Sequence, residues 1–298
     1  MIQDIAPHKY DNTYREQAMK KGDFAFYVEE DKALLFAGKE APDEKEQYRI
    51  PLAEEIEEVF GRAEVKAQYL FSIDEKAYFL ITDVGAENGH GEEIIRAVKE
   101  KTGREPAFFG TQYFRTMKTM YQAFAAVTAL QLWRFRESRK FCGRCGTGTE
   151  HSKTERAYVC PKCGQVEYPK ISPAIIVAIT NGDKLLMSRY RGRSYGGYAL
   201  IAGFVEIGET FEETVHREVM EEVGLKVKNI RYIKSQPWAF TDSEMIGFFA
   251  ELDGDDTIKL QEDELSEAAW YSRAEIPDDN SGISVAGDLK MAFKYETL

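Results

Sequence analysis

The sequence predicts a mixed α and β protein, α+β over its length and α/β in its C-terminal part, with a small metal-binding module between the two. Three observations lead there. Short apolar runs separated by turn residues recur along the chain and read as hairpins. All four cysteines fall in two Cys-x-x-Cys pairs, Cys142/Cys145 and Cys160/Cys163. The stretch Gly203–Leu225, GFVEIGETFEETVHREVMEEVGL, carries seven Glu in 23 residues on what reads as one helix.

The bulk composition sets the frame. A length of 298 residues favours two domains with a small insert. Hydrophobic content of 43% with 30% charged residues describes a soluble globular chain able to bury a core. The net charge of −12 disfavours wholesale nucleic-acid or anionic-membrane binding and leaves room for a local basic patch. The start, MIQDIAPHKYDN, has no basic segment followed by an apolar run, and no stretch approaches the roughly 18–20 apolar residues of a membrane span. A cytoplasmic protein is expected.

Residues 1–110 read as a mixed α/β domain. DFAFYV and ALLFAG flank EEDK and suggest a hairpin near Asp23–Gly38. AQYLFSI and AYFLITDV flank Asp74–Lys76 and suggest a second. EEIIRAVKEKTG reads as a short helix ending at Gly103. No recognisable chemistry appears in this domain, so a structural or dimer-forming role is expected of it. Residues 111–138 lack Gly and Pro, and Tyr113, Met117, Met120, Phe124, Val127, Leu130 and Trp133 recur at helical spacing. They predict one long linking helix. Its end carries Arg134, Arg136, Arg139 and Lys140, with Arg144 following. These read either as a solvated face or as a modest basic patch able to touch phosphates.

Residues 139–168 hold the two cysteine pairs, with 14 residues between them. That spacing is the signature of a tetrahedral four-cysteine zinc ribbon formed by Cys142, Cys145, Cys160 and Cys163. Gly146 and Gly164 follow the pairs and let the backbone turn back toward the metal. Disulfides or a redox pair are the competing reading, disfavoured without a secretion signal. Four thiolates leave no open position for water, so the zinc would be structural.

From 169 to 298 the chain reads as a domain of strands around two helices. PAIIVAIT-NGD-KLLMSRY predicts an Asn-Gly hairpin, and the Gly-rich GRSYGGYAL and the strand LIAGFVE follow. Phe211, Val215, Val219 and Val223 then form one apolar helical stripe, with Thr210 as N-cap and Gly224 at an αL end. Strands near Val227–Ser235 and Met245–Glu251 and a helix near Val285–Tyr295 complete it.

The helix beginning at Phe211 is not built for stability alone. Glu221 and Glu222 project within roughly 40–60° of Glu218. Like charges at that spacing repel, and the helix dipole opposes acids near a C-terminus. A solvated acidic face is one reading. The other is a site for Mg²⁺ or Mn²⁺, which prefer hard carboxylate oxygens. The wider pattern favours the cation: Gly203, Glu209, Arg217, Glu218, Glu221, Glu222 and Gly224, with apolar Val219 and Leu225, fill every fixed position of the Nudix box. Seven fixed letters coincide by chance about once in 10⁸–10⁹ starting positions. The chain resembles the Nudix hydrolases, which cleave nucleoside diphosphates linked to another group, and the resemblance implies their α/β/α sandwich.

Ser235-Gln-Pro-Trp-Ala-Phe-Thr-Asp-Ser243 is similar to Ser-Gln-Pro-Trp-Pro-Phe-Pro-x-Ser of the NADH pyrophosphatase family. That family also carries a four-cysteine ribbon followed by Tyr-Pro, here Tyr168-Pro169. The resemblance spans roughly 133–298. Ala239 and Thr241 stand where the family has proline, which loosens a loop that proline would pre-order. It implies metal ligation by Glu218 and Glu222, helped by Glu221 and the Ala202 carbonyl. Glu264 would support the metal or activate water, with a register uncertain by one residue against Glu262 and Asp263. Glu209 and Arg217 would hold the ligating carboxylates in place. Substrate contacts carry over to Glu155, Tyr168, Gln236, Ser243 and Ala286. Ser235, Pro237, Trp238 and Phe240 would shape the ligand wall, and Phe204 would stack on a flat ring.

The implied activity is metal-dependent hydrolysis of NADH or NAD⁺ to nicotinamide mononucleotide and AMP by a homodimer whose partner completes each site. Removal of NAD caps from RNA by the same site is the main alternative, and another dinucleotide such as ADP-ribose the second. A non-catalytic nucleotide sensor is the rival from a different class, and a bare zinc-ribbon interaction module leaves the box unexplained.

Overall fold

The computed structural model describes residues 1–38, 48–85, 90–192, 197–279 and 281–297. They form two compact units, Ile2–Lys170 and Ile171–Leu298.

In the first unit, strands β1 (Tyr10–Asp11), β2 (Phe24–Phe26), β3 (Val28–Glu29), β4 (Lys32–Ala37) and β5 (Tyr48–Arg49) precede helix α1 (Ala53–Phe60). Strands β6 (Lys66–Ile73) and β7 (Lys76–Asp83), helix α2 (Glu92–Thr102), β8 (Pro106–Phe109) and α3 (Met120–Ser138) follow. One sheet runs β1-β6-β7-β2. In the other, β4 pairs with β3, β5 and β8. The hairpin expected near Asp74 is β6–β7, antiparallel from Lys66↔Asp83 to Ile73↔Lys76. The other expected hairpin is smaller than its sequence suggests. Only β3 turns back on β4, while β2 leaves to run parallel to β7. The long helix expected from Thr111 also begins later. Thr111–Arg115 is a 3₁₀ turn, which Thr116 ends by directing both its N–H and its hydroxyl to the Tyr113 carbonyl. Gly103 does close α2, in the left-handed conformation at φ 65°.

The same unit contains the cysteine module, with β9 (Glu150–His151), β10 (Tyr158–Val159) and β11 (Val166–Glu167) as an antiparallel three-stranded sheet. It is tied to the neighbouring sheet by Tyr158, whose hydroxyl donates to Gln68 at 3.3 Å, and by Arg156, which donates to the Leu70 carbonyl.

The second unit is built on one mixed sheet of β12 (Ser172–Asn181), β13 (Lys184–Tyr190), β14 (Ile201–Phe204), β15 (Val227–Trp238), β16 (Ser243–Leu252) and β17 (Leu265–Ser272). The order is β15-β16-β12-β13-β17, with β14 also on β12, and β12 and β16 run parallel. Alternation decides what each face meets. Ile175, Val177, Leu186, Ile246 and Phe248 pack under Val215, Val219 and Val223 of helix α4 (Phe211–Val223). Ile176, Ala178, Leu185, Met187 and Phe249 pack under Val285, Leu289 and Phe293 of helix α5 (Val285–Lys294). One helix on each face makes the expected α/β/α sandwich. The β12–β13 turn is not the Asn-Gly turn expected. Asn181 still pairs with Lys184, so Gly182, at φ 60°, and Asp183 form the loop. Residues 193–196 of the Gly-rich stretch lie outside the described residues. Among the described residues no helix is long and apolar enough to cross a membrane.

Candidate active site

Helix α4 is held at both ends. Thr210 Oγ1 accepts from Glu213 N at 3.2 Å, and Glu213 Oε2 accepts from Thr210 N at 2.8 Å. Gly224 closes the helix at φ 67°. Between these caps, Arg217 organises the acids. Its Nε donates to Glu209 Oε1 at 2.6 Å and its Nη2 to Glu209 Oε2 at 2.9 Å. Nη1 donates to Glu218 Oε1 at 2.8 Å and to Glu221 Oε2 at 3.0 Å. Nη2 also reaches the Phe204 carbonyl at 2.9 Å, tying the helix to β14. These bonds to Arg217, with others from Glu206 N and Thr214, hold the Glu209 carboxyl at about 2.

Glu218 is different in kind. Burial pushes its carboxyl up against the pull of Arg217, and the charges of Glu221 and Glu264 push the same way. A Cβ built on Gly203 would lie 1.9 Å from the Glu218 carboxyl carbon. That close approach is why a glycine stands there, a reason the motif letter alone does not disclose. Glu222, on the same helix, is 2% exposed. Glu221 is the outermost of the three, its side chain 54% exposed.

Glu264 precedes β17. Its carbonyl accepts from Arg191 N at 2.8 Å, and the turn before it is fastened to α4 by Gln261 N donating to the Glu222 carbonyl at 2.9 Å. Glu264 is among the charges that push the Glu218 carboxyl up. The donor types suit a hard dication: carboxylates on α4, with a backbone carbonyl offered by Ala202 in β14. The carboxylates are not tightly gathered, however. Among the described residues, only the four cysteines bring three or more candidate ligand atoms within 4.8 Å of one another.

The residues expected to bind substrate divide between the units. In the second unit, Gln236 is fully buried. Its Nε2 donates to the Ile283 carbonyl at 2.8 Å, and its Oε1 accepts from Val285 N at 2.7 Å. It seats the first turn of α5, which carries Ala286. Ser243 is also buried, and its hydroxyl bonds that of Thr241 at 2.7 Å. The family's proline position thus supplies a hydroxyl here. The segment expected as a loop is mostly strand: Ser235–Trp238 end β15, Ser243 starts β16, and Ala239–Asp242 turn between them. Trp238 and Phe240 stack tilted at 4.5 Å, and Phe204 is 53% exposed at the end of β14. In the first unit, Tyr168 donates to Glu155 Oε2 at 3.2 Å and is 57% exposed.

The four cysteines converge, with Sγ–Sγ distances of 3.6 Å (Cys142–Cys163), 3.5 Å (Cys145–Cys160) and 3.7 Å (Cys145–Cys163). Disulfides need about 2.05 Å. Tetrahedral sulfurs with Zn–S near 2.3 Å stand about 3.8 Å apart. The two knuckles repeat one backbone plan: Gly146 N donates to the Cys142 carbonyl and Gly164 N to that of Cys160. The residues fit a structural zinc. Three of the five basic residues beside them form ion pairs within the fold. Arg134 pairs with Asp31 at 2.9 Å, Arg139 with Glu167 at 3.3 Å, and Lys140 with Glu137. Of the two readings offered for this stretch, these pairings weigh against the phosphate-touching patch.

Family models match this chain in two adjoining segments: an NADH pyrophosphatase zinc ribbon domain over residues 137–168 and a NUDIX domain over 170–286. The chain carries a NUDIX domain behind an NADH pyrophosphatase zinc ribbon. An NAD-capped RNA hydrolase NudC of Chromobacterium violaceum is 48% identical over 167 residues, 56% of this chain and 63% of that protein. One from Haemophilus influenzae is 47% identical over 142 residues, 46% of this chain and 53% of that protein. The chain thus spans between about half and two thirds of the length of these relatives. A NUDIX hydrolase structure from Nitrosomonas europaea is 24% identical, covering 53% of this chain and 92% of that one with a TM-score of 0.46. In this NUDIX domain, sequence reasoning missed the strand β17 that follows Glu264, because ELSEAAWY alternates too weakly to announce it. It also missed the Phe204 carbonyl as a partner of Arg217, which only the approach of β14 to α4 creates.

Proposed function

We propose that this protein is a pyrophosphohydrolase that cleaves NADH or NAD⁺ into nicotinamide mononucleotide and AMP, using Mg²⁺ or Mn²⁺. The observation that carries the reading is the complete acid cluster on α4, aimed by Arg217 and opposed by Gly203, behind a ribbon of the NADH pyrophosphatase type. Glu218, Glu222 and Glu264 would hold the dication, with Glu221 and the Ala202 carbonyl assisting. The cation would supply Lewis acidity at the phosphoryl oxygens and orient a water for in-line attack. Arg217 and Glu209 keep Glu218 from swinging away. Phe204 would offer a ring face to a flat base, and Trp238 and Phe240, stacked on each other at 4.5 Å, would shape the ligand wall with Ser235, Pro237 and Ser243. We further propose a cytoplasmic homodimer, by family resemblance, whose mass light scattering would measure.

A second reading has its own support. Relatives are named NAD-capped RNA hydrolases, so the same site would accept a dinucleotide attached to RNA. Product analysis of NADH, NAD⁺, ADP-ribose and an NAD-capped RNA with Mg²⁺ or Mn²⁺ tests both readings. Metal-dependent nicotinamide mononucleotide release that collapses in Glu222→Gln is the expected result, and the relative rates rank the substrates. Folded, zinc-loaded wild type that cleaves none of the four would sink the reading.

A further inference from the structure

Lys290, on α5, is only 5% exposed. Burying an ammonium is costly unless its donors are used, so a lysine here calls for a reason. Its Nζ donates to the Tyr198 carbonyl at 3.3 Å and lies 3.7 Å from Asp279 Oδ2. Tyr198 precedes β14, which carries Phe204, and Asp279 precedes α5, which carries Ala286, both proposed substrate contacts.

Tyr198 leads into β14. Its neighbour Ala199 exchanges backbone hydrogen bonds with Ser188 at 2.8 and 2.9 Å, and the strand then delivers Ala202, Gly203 and Phe204. The Tyr198 ring is already held from outside, with the Arg189 guanidinium 4.1 Å from its centroid and Tyr271 edge-on at 4.9 Å. Lys290 fixes the same residue from inside, through the carbonyl.

Asp279 belongs to the segment leading into α5, the proposed wall that carries Ala286. Its carboxylate accepts from Ser281 N and Oγ, and it sits so close to α5 that a Cβ on Gly287 would come within 2.5 Å of Oδ2. Gly287 adjoins Ala286. Gln236 holds the same wall through Ile283 and Val285. One buried ammonium therefore bridges the wall carrying Ala286 and the approach to the strand carrying Phe204.

We propose that Lys290 is a positioning residue that sets the spacing of the two dinucleotide-binding walls, governing substrate affinity and leaving the turnover step alone. This deepens the proposed function and rests on it. The alternative is that the lysine merely neutralises Asp279. Two variants separate these. Lys290→Met removes the donor and strands the Asp279 charge. Lys290→Met/Asp279→Asn removes the donor and strands nothing, so the fold is relieved while the Tyr198 carbonyl still lacks its partner.

The experiment measures thermal midpoint, kcat, KM and equilibrium Kd for zinc-loaded wild type and both variants. The ligand is whichever of NADH and NAD⁺ wild type cleaves, and Kd is read without divalent cation, so that no turnover occurs. The expected result is a KM and Kd raised about five- to tenfold in both variants with kcat within about twofold, even though the double variant regains thermal midpoint. Kd and KM at wild-type values in the double variant would overturn the proposal and leave Lys290 a structural charge partner. Wild type that cleaves neither dinucleotide counts against the proposed reaction. Wild-type cleavage with unmoved Kd in the variants counts against Lys290 alone.

Discussion

At the scale of single residues, the site depends on two contacts. The first is steric. Gly203 lies where any side chain would meet the Glu218 carboxylate, at 1.9 Å for a Cβ. Gly203→Ala should rotate that carboxylate away rather than break β14, because the displaced group is the far end of a flexible side chain. We expect kcat to fall about a hundredfold or more, with little change in thermal midpoint, as steady-state kinetics and melting together would show. The second contact is electrostatic. Glu209 has a carboxyl lowered to about 2, with Arg217 the largest cause. A lowered folded value contributes stability that is present above the ordinary carboxylate range and lost as pH falls toward 2. The difference in melting temperature between wild type and Glu209→Gln should be full at neutral pH and shrink between about pH 4.5 and 2. A difference that is flat across that range would show that the pair contributes nothing.

At the scale of elements, helix α4 follows from local chemistry. Thr210 and Glu213 close a capping box, the valines every fourth residue face the sheet, and Gly224 takes the left-handed conformation. All of this is readable in the sequence. The β12–β13 turn lies one residue beyond its Asn-Gly signal because register depends on pairing across the sheet, where Asn181 meets Lys184. Helix α3 is shorter than its apolar spacing predicts for a related reason: helical spacing continues through Thr111–Arg115, yet the Thr116 side chain and amide both fold back on Tyr113. The ribbon is an element defined by its metal. Its strands are two residues each, too short to stand alone, and the four sulfurs are what gather them. Cys163→Ala should abolish zinc binding, read by elemental analysis of the purified chain, and make residues 139–168 the preferred site of limited proteolysis. Full zinc occupancy in that variant would contradict the four-thiolate site.

For the molecule as a whole, charge argues about partners. The chain carries −12, and the basic run at the end of α3 is paired within the fold by Asp31, Glu137 and Glu167. Few cations remain there to displace counterions from an RNA backbone. Affinity for an NAD-capped RNA should therefore fall only shallowly with salt, a logarithmic slope of magnitude below about 3, close to that of free dinucleotide. A steep slope in a filter-binding series would reveal phosphate contacts elsewhere. The sequence by itself determined the acids of the box, the four thiolates and the helices that carry one apolar stripe, because those signals are local: fixed spacing, periodicity and capping. Only the tertiary structure decided that Gly203 must be bare and that Gln236 is committed to seating α5. It also placed the Lys290 ammonium between the Tyr198 carbonyl and Asp279. Each of these depends on distances between segments far apart in the chain, which sheet pairing sets and residue order alone does not.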